Sequence, residues 1–328
     1  MSKNDVLQTG VIGVGTMGQH HARVYDELRD CELVGVADAD KERAREIADE
    51  YDTAVLETQA LIEQTDAVTI AVPTAYHYEL ASDCLDAETH VLIEKPFVDE
   101  PARGRELIER ADEQDLVIQV GHIERFNPVT ETLRQIVPGL DVISVTAERL
   151  GPPPSRRIED TAVMDLMIHD ADIVRSLLDG SIESVRASGN ADGRYGTATL
   201  EFDTGVIAKL TASRVTQRKV RTLTITATDC YVTVDYIDQS VEIHRQSAPE
   251  YVTENGDMRY RHESIVEHPA VDTGEPLRFE LESFLDAVRT GAEPRVSGED
   301  ALEALALVSE INQKAFGSPK KTVEVVQD

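Results

Sequence analysis

The chain has no tryptophan, and only three cysteines in 328 residues. Cys31, Cys84 and Cys230 are odd in number and far apart. Neither a disulfide framework nor a zinc-binding spacing is expected, and a reducing cytoplasm is the compartment they fit. Lysine is scarce too: eight of the 32 basic residues are lysine, against 62 acids, for a formal net charge of −30. Such a surface repels nucleic acid and anionic membranes. No apolar run reaches the roughly 18 residues that a membrane span needs. The opening MSKNDVLQTG lacks the apolar stretch of a secretory signal. There is no H-E-x-x-H, no C-x-x-C and no Asp/His set with metal spacing, so no metal is expected.

The acids are interleaved with apolar residues at helical and strand spacing, which places them on the surface of a globular protein. Many carboxylates beside little lysine fit a halophilic protein of a high-salt cytoplasm, where screening weakens self-repulsion. The length allows two domains of ordinary size. Short apolar runs at Gly10–Val14, Glu32–Ala37, Asp66–Val72, His90–Ile93 and Leu116–Val120 alternate with helical periodicity at Met17–Leu28, Lys41–Glu50 and Tyr76–Leu85. Repeated βα units of this kind predict a Rossmann domain, a doubly wound parallel sheet, over residues 1–121.

The pattern changes over residues 122–328, where an α+β domain is expected. A strand at 141–150 and a helix at Thr161–Leu178 precede strands at Thr197–Phe202, Val206–Ser213, Arg221–Thr228 and Cys230–Ile237. In Arg221–Thr228, Leu223, Ile225 and Ala227 face one way and four threonines the other, as in a mainly antiparallel sheet with one dry face. That threonine face is too flat and ordered to be left exposed, so a homodimer or homotetramer is expected. Ser247–Gly274 reads as a long loop with room for a strand. Helices near Pro276–Arg289 and Glu299–Phe316 lead to a terminal strand at Val323–Val326.

The segment GVIGVGTMG carries G-x-G-x-x-G at Gly13, Gly15 and Gly18, with Thr16 and Met17 inside the loop. Gly13 permits a tight turn, Gly15 the approach of a pyrophosphate, and Gly18 close helix–strand packing. The phosphates would meet the positive end of the following helix. Asp38 ends the next strand, 20 residues beyond Gly18. Its carboxylate can accept hydrogen bonds from ribose hydroxyls and repels a 2′-phosphate, so NAD is expected over NADP. Asp40 adds to that repulsion, and no arginine follows until Arg43.

Two further motifs carry chemistry. Glu94-Lys95-Pro96-Phe97 follows the fifth strand run, at the edge where ligands bind in open α/β sheets. Lys95 there can polarise a substrate oxygen or help to move its proton. In MDLMIHDAD, Asp165 and His169 are four residues apart and share a helix face. The carboxylate can orient the imidazole while the imidazole accepts a hydroxyl proton.

Together GVIGVGTMG, AVPTAYH, IEKPF, GHIERFNP and DLMIHDAD, in this order, resemble the glucose–fructose oxidoreductase/inositol dehydrogenase (Gfo/Idh/MocA) family. The resemblance extends through EPLRFELESFLDAVR and SGEDALEALALVSEI. It implies that Lys95, Asp165 and His169 form the catalytic set, and that Val72, Pro73, Thr74, His77 and Glu94 lie beside the cofactor. It places Asn127 near nicotinamide and substrate, puts His122 with the substrate residues, and makes the second sheet open-faced. Within the family, GHIERFNP, GPPPSRRIED and VTQRKVRTLTIT are most similar to members that oxidise C3 of a UDP-N-acetyl-hexosamine. Arg156, Arg157, Arg214, Arg218, Lys219 and Arg221 are concentrated bases of the kind a diphosphate needs, Arg157 and Lys219 foremost. Pairing with surface carboxylates is the equal alternative for them. A free sugar, an inositol or a sugar lactone remains open as substrate, as does a non-catalytic NAD-binding regulator.

Overall fold

The structure is a computed structural model, and it describes residues 6–153, 158, 160–246, 250–254, 257–261 and 263–317. They form two compact units. The first holds residues 1–127 and 274–305, the second 128–273 and 306–328. A single cut at residue 121 therefore misplaces the stretch from 274 to 305, which returns to the first unit.

The first unit is built on β1 (Leu7–Ile12), β2 (Cys31–Ala37), β3 (Ala54–Val55), β4 (Ala67–Ile70), β5 (His90–Glu94) and β6 (Ile118–Gly121). All pair in parallel, in the order β3-β2-β1-β4-β5-β6. Winding reverses between β1 and β4, which opens a crevice at the carboxyl ends of the strands. The crossover helices are α1 (Gly18–Glu27), α2 (Lys41–Glu50), α3 (Thr58–Ile62), α4 (His77–Asp86) and α5 (Pro101–Glu113). α2 starts where Asp40 caps it, its Oδ1 accepting from the N–H groups of Glu42 and Arg43 at 3.1 and 3.2 Å. The two-residue β3 is too short to show in any periodicity.

The second unit begins with α6 (Pro128–Ile136) and β7 (Val142–Leu150). A π-helical turn at Val163–Met167 then runs into α7 (Ile168–Leu177). Then come β8 (Ile182–Gly189), β9 (Tyr195–Phe202), β10 (Ile207–Ser213), β11 (Val220–Ala227), β12 (Cys230–Asp235) and β13 (Ser240–Gln246). β14 (Glu250–Glu254), β15 (Asp257–Arg261) and β16 (Ser264–Glu267) complete the strands of this unit among the described residues. Eight strands form one sheet, β16-β13-β12-β11-β7-β10-β9-β8. Its pairs are antiparallel except β7 with β10. Leu223, Ile225 and Ala227 face the core as their spacing predicts.

The stretch 247–274, expected as a loop with room for one strand, holds three: β14 and β15 pair with each other and β16 extends the large sheet. Turn-forming residues masked these short strands. The terminal strand expected at Val323–Val326 lies outside the described residues. The last helices are α8 (Pro276–Thr290) and α9 (Gly298–Phe316). α8 opens on proline and closes on Gly291 in the left-handed region at φ +66°. Its Leu277, Leu281, Phe284 and Leu285 join Ala22, Val24 and Tyr25 of α1 in the core of the first unit.

Candidate active site

After β1 the chain turns at Gly13, with φ +87°. A Cβ there would lie 2.6 Å from Val72 Cγ1 and 2.7 Å from the Ala71 carbonyl oxygen, so both backbone and space demand glycine. At Gly18 a Cβ would come 1.7 Å from the Gly13 carbonyl oxygen, and its absence lets α1 start against the strand. Gly15 differs: no atom lies within 4 Å of the position its Cβ would take. The backbone of an exposed loop is open there. α1 has no side-chain cap and no acid in its first turn, so its positive end is left for an anion. Thr16 is exposed and Met17 half-buried on the same loop. The cradle fits the pyrophosphate of a dinucleotide.

Asp38 stands just beyond β2. Its Oδ2 accepts from the Val14 N–H at 2.7 Å and its Oδ1 from the Asp40 N–H at 2.8 Å, which fixes the carboxylate. Arg43, distant from the loop in sequence, reaches it through space. Its Nε donates to the Val14 carbonyl at 3.1 Å and its Nη2 to Gln19 Oε1 at 2.6 Å.

Beyond β4, Val72 and Thr74 are half-buried and Pro73 is exposed. His77 is buried, with Nε2 2.9 Å from the Val72 carbonyl and Nδ1 3.0 Å from that of Pro96. The ring braces the loop after β4 to the turn after β5. In that turn the Lys95–Pro96 bond is cis and Lys95 is half-buried. Glu94 is buried behind it, its Oε1 2.9 Å from His21 Nε2 and its Oε2 accepting from the Lys95 N–H at 3.2 Å. Burial opposes this charge, but the His21 hydrogen bond and the His21 and Lys95 charges outweigh it and hold the carboxyl below its usual range. Gly121 makes room: a Cβ there would sit 3.2 Å from the Glu94 carboxyl. His122 and Asn127 follow β6 and are buried, the Asn127 amide donating to Glu124 at 3.2 Å.

In the second unit Asp165 lies in the π-helical turn and His169 in the first turn of α7. Both are half-buried. The uniform α-helix expected from Thr161 is thus replaced by a five-residue turn where the motif sits, a distortion common at functional sites. Arg214, after β10, is 6% exposed; its Nη2 donates to Asp165 Oδ2 at 2.5 Å and its Nη1 to the Asp160 carbonyl at 2.5 Å. Of the two alternatives open to it, a diphosphate or a carboxylate, Arg214 takes the carboxylate of Asp165, and its guanidinium is buried there. Next to His169, Asp170 receives Arg149 in a buried fork, Nε to Oδ2 at 3.0 Å and Nη2 to Oδ1 at 2.8 Å. Arg218 and Lys219 are exposed between β10 and β11. Arg221 is half-buried and donates to the Leu150 carbonyl at 2.8 Å. Arg156 and Arg157 lie outside the described residues.

Sequence reasoning missed Arg214 as an anchor, the His21–Glu94 pair and a buried acid, Glu280. The signal for Glu280 was there: in EPLRFELESF it falls between Leu277 and Phe284, on the apolar stripe of the helix.

The glycine cradle at α1 and the reversal of strand order in the parallel sheet define a dinucleotide-binding fold. Residues 7–122 match the model of the Gfo/Idh/MocA oxidoreductase family with its NAD-binding Rossmann fold, and residues 142–233 match the family's C-terminal domain. The chain belongs to this family. It is 36% identical over 287 residues to the UDP-N-acetylglucosamine 3-dehydrogenase of Acidithiobacillus ferrooxidans, over 86% of this chain and 88% of that protein. A solved structure of that enzyme superposes with a TM-score of 0.85, covering 95% of this chain and 99% of the other at 31% identity. The myo-inositol 2-dehydrogenase of Thermotoga maritima is 28% identical, over 92% of this chain and 94% of that protein.

Proposed function

We propose that the chain oxidises C3 of a UDP-N-acetyl-hexosamine to a ketone, with NAD rather than NADP as the hydride acceptor. What carries the chemical reading is the Lys95 turn, set at the carboxyl end of β5 and braced by His77 and Glu94. The substrate reading draws its support from the 36% identity to a UDP-N-acetylglucosamine 3-dehydrogenase.

The nicotinamide, when bound, takes the hydride. The protein moves the proton. Lys95 steadies the oxygen as charge develops on it, and His169 accepts the hydroxyl proton as the C–O bond becomes C=O. Asp165, tied by Arg214, orients the imidazole and stabilises its cation. Gly13, Gly15, Thr16, Met17 and Gly18 cradle the pyrophosphate, and Val72, Pro73, Thr74 and Asn127 contribute to the cofactor site. His122 and Asn127 are assigned to the substrate, with Lys219 and Arg157 for its diphosphate. Initial rates in molar KCl with UDP-N-acetylglucosamine, free N-acetylglucosamine and myo-inositol test the reading. Turnover confined to the UDP-sugar is the expected result; turnover of inositol alone would overturn the substrate assignment.

Cofactor choice follows from Asp38. NAD(H) should bind more tightly than NADP(H), and Asp38→Ala should narrow the difference by relieving repulsion of a 2′-phosphate. Titration of both cofactors by fluorescence decides it, and tighter NADP(H) binding by the unaltered protein refutes it.

We further propose a homodimer or homotetramer built on the outer face of the eight-stranded sheet. Thr199, Lys209, Thr146, Thr224 and Thr233 lie side by side across it. Sedimentation at high salt should show a species heavier than the 36.2 kDa chain; a monomer at all concentrations would contradict this.

A further inference from the structure

The core of the first unit holds a carboxyl group to which the proposed chemistry gives no task. Glu280, on α8, is completely buried, and neither of its oxygens has a hydrogen-bond partner among the described residues. Its neighbour Gln119 donates from Nε2 to the Glu280 carbonyl at 3.1 Å, while Gln119 Oε1 is a buried acceptor without a donor. On α1, His21 is also fully buried. Its Nε2 meets Glu94, and its Nδ1 lacks a partner.

Glu94 and Glu280 thus form a pair of buried carboxyls with opposite surroundings. Glu94 faces two N–H donors; Glu280 faces none. Two adjacent buried carboxylates repel, so one proton is retained, and it stays where no donor rewards ionisation. Burial first, and the Glu94 charge second, push the Glu280 carboxyl well above the ordinary range.

The other charged or titratable groups nearby are few. Tyr25 of α1 is buried and hydrogen-bonded to Thr69 at 2.9 Å. The short turn Ile123–Phe126, packed on α8, offers Glu124, which holds the Asn127 amide, and Arg125, which lies 3.6 Å from Asp300. Arg278 and Glu282 of α8 itself pair with each other at 3.0 Å, toward solvent.

We propose that Glu280 is a positioning residue: a permanently protonated acid that donates to Gln119 Oε1 and leaves Glu94 as the single negative charge behind the Lys95 turn. Ionised, Glu280 would set a second charge against Glu94 and disturb the carboxylate that receives the Lys95 N–H.

Infrared spectroscopy of the cofactor-free protein at about pH 7.5 reads the proton directly, because ordinary carboxyls are ionised there. A protonated-carboxyl stretch should be present, persist in Glu94→Gln and vanish in Glu280→Gln. No such band in the parent, or a band that survives Glu280→Gln, overturns the proposal.

Linkage supplies a second readout. Between the ordinary carboxyl value and the raised one, the folded state holds a proton that the unfolded chain has lost, so stability falls as pH rises. The unfolding constant of Glu280→Gln, divided by that of the parent, should therefore fall by up to about tenfold per pH unit as pH rises above the ordinary carboxyl range. A ratio that does not change with pH overturns the proposal.

The positioning role rests on the assignment of Lys95 to catalysis, whereas the two measurements above do not. Glu280→Ala should lower kcat by roughly 10- to 100-fold with NAD affinity kept, and Glu280→Gln should restore most of the loss. Equal kcat in the parent and Glu280→Ala would remove the positioning role even if the proton is found.

Discussion

Lys95→Ala and His169→Ala should each lower kcat by about 10²–10⁴-fold, the usual contribution of a general acid or base. NAD affinity should be largely intact, because neither side chain belongs to the glycine cradle. Asp165→Asn should cost less than His169→Ala if Asp165 only orients the ring. If the two groups act on one transition state, the Lys95→Ala/His169→Ala double variant should lose less than the product of the single losses. Steady-state rates on the natural sugar check this. Near-normal turnover by both alanine variants would discard the mechanism.

The largest loss of stability is expected from Asp170→Ala. Arg149 is 3% exposed and Asp170 4%, joined through a fork of charged hydrogen bonds. Removing the carboxylate leaves a guanidinium in the interior without its main counter-charge, which typically costs about 3–5 kcal/mol. In a chain of this size that lowers the thermal midpoint on the order of 10 °C. Calorimetry in high salt reads it, and an unchanged midpoint would show that the fork contributes little. The same fork anchors α7 one residue from His169, so the placement of that imidazole and local stability depend on one pair.

The parts of the candidate site that could be read in sequence are those whose chemistry is local. The three glycines stand within six residues as a contiguous motif, although the atoms that demand Gly13, Val72 and the Ala71 carbonyl, come from the loop after β4. Lys95 was legible because a strand end, an acid and a proline are contiguous. Arg214 was not: its partner Asp165 is 49 residues away, and an arginine bound for the interior looks like any other base until the chain folds. Glu280 and Glu94 are farther apart still and share no periodicity. In the sheets, β11 announced itself by strict alternation. β8 (IESVRASG) and β13 (SVEIHRQ) carry too few apolar residues to stand out. The return of α8 to the first unit was invisible for the same reason as Arg214. An amphipathic helix shows that it has a buried face but not which core receives it.

That return governs the order in which the protein can be made. A ribosome delivers β1 through β6 first, yet the apolar face of α1 waits for Leu277, Leu281, Phe284 and Leu285, which emerge only after about 150 further residues of the second unit. Nascent chains arrested before residue 276 carry a parallel sheet with one flank uncovered. Completion of the dinucleotide-binding unit is thereby tied to near-completion of synthesis, and an early-terminated product offers proteases and chaperones an exposed hydrophobic seam.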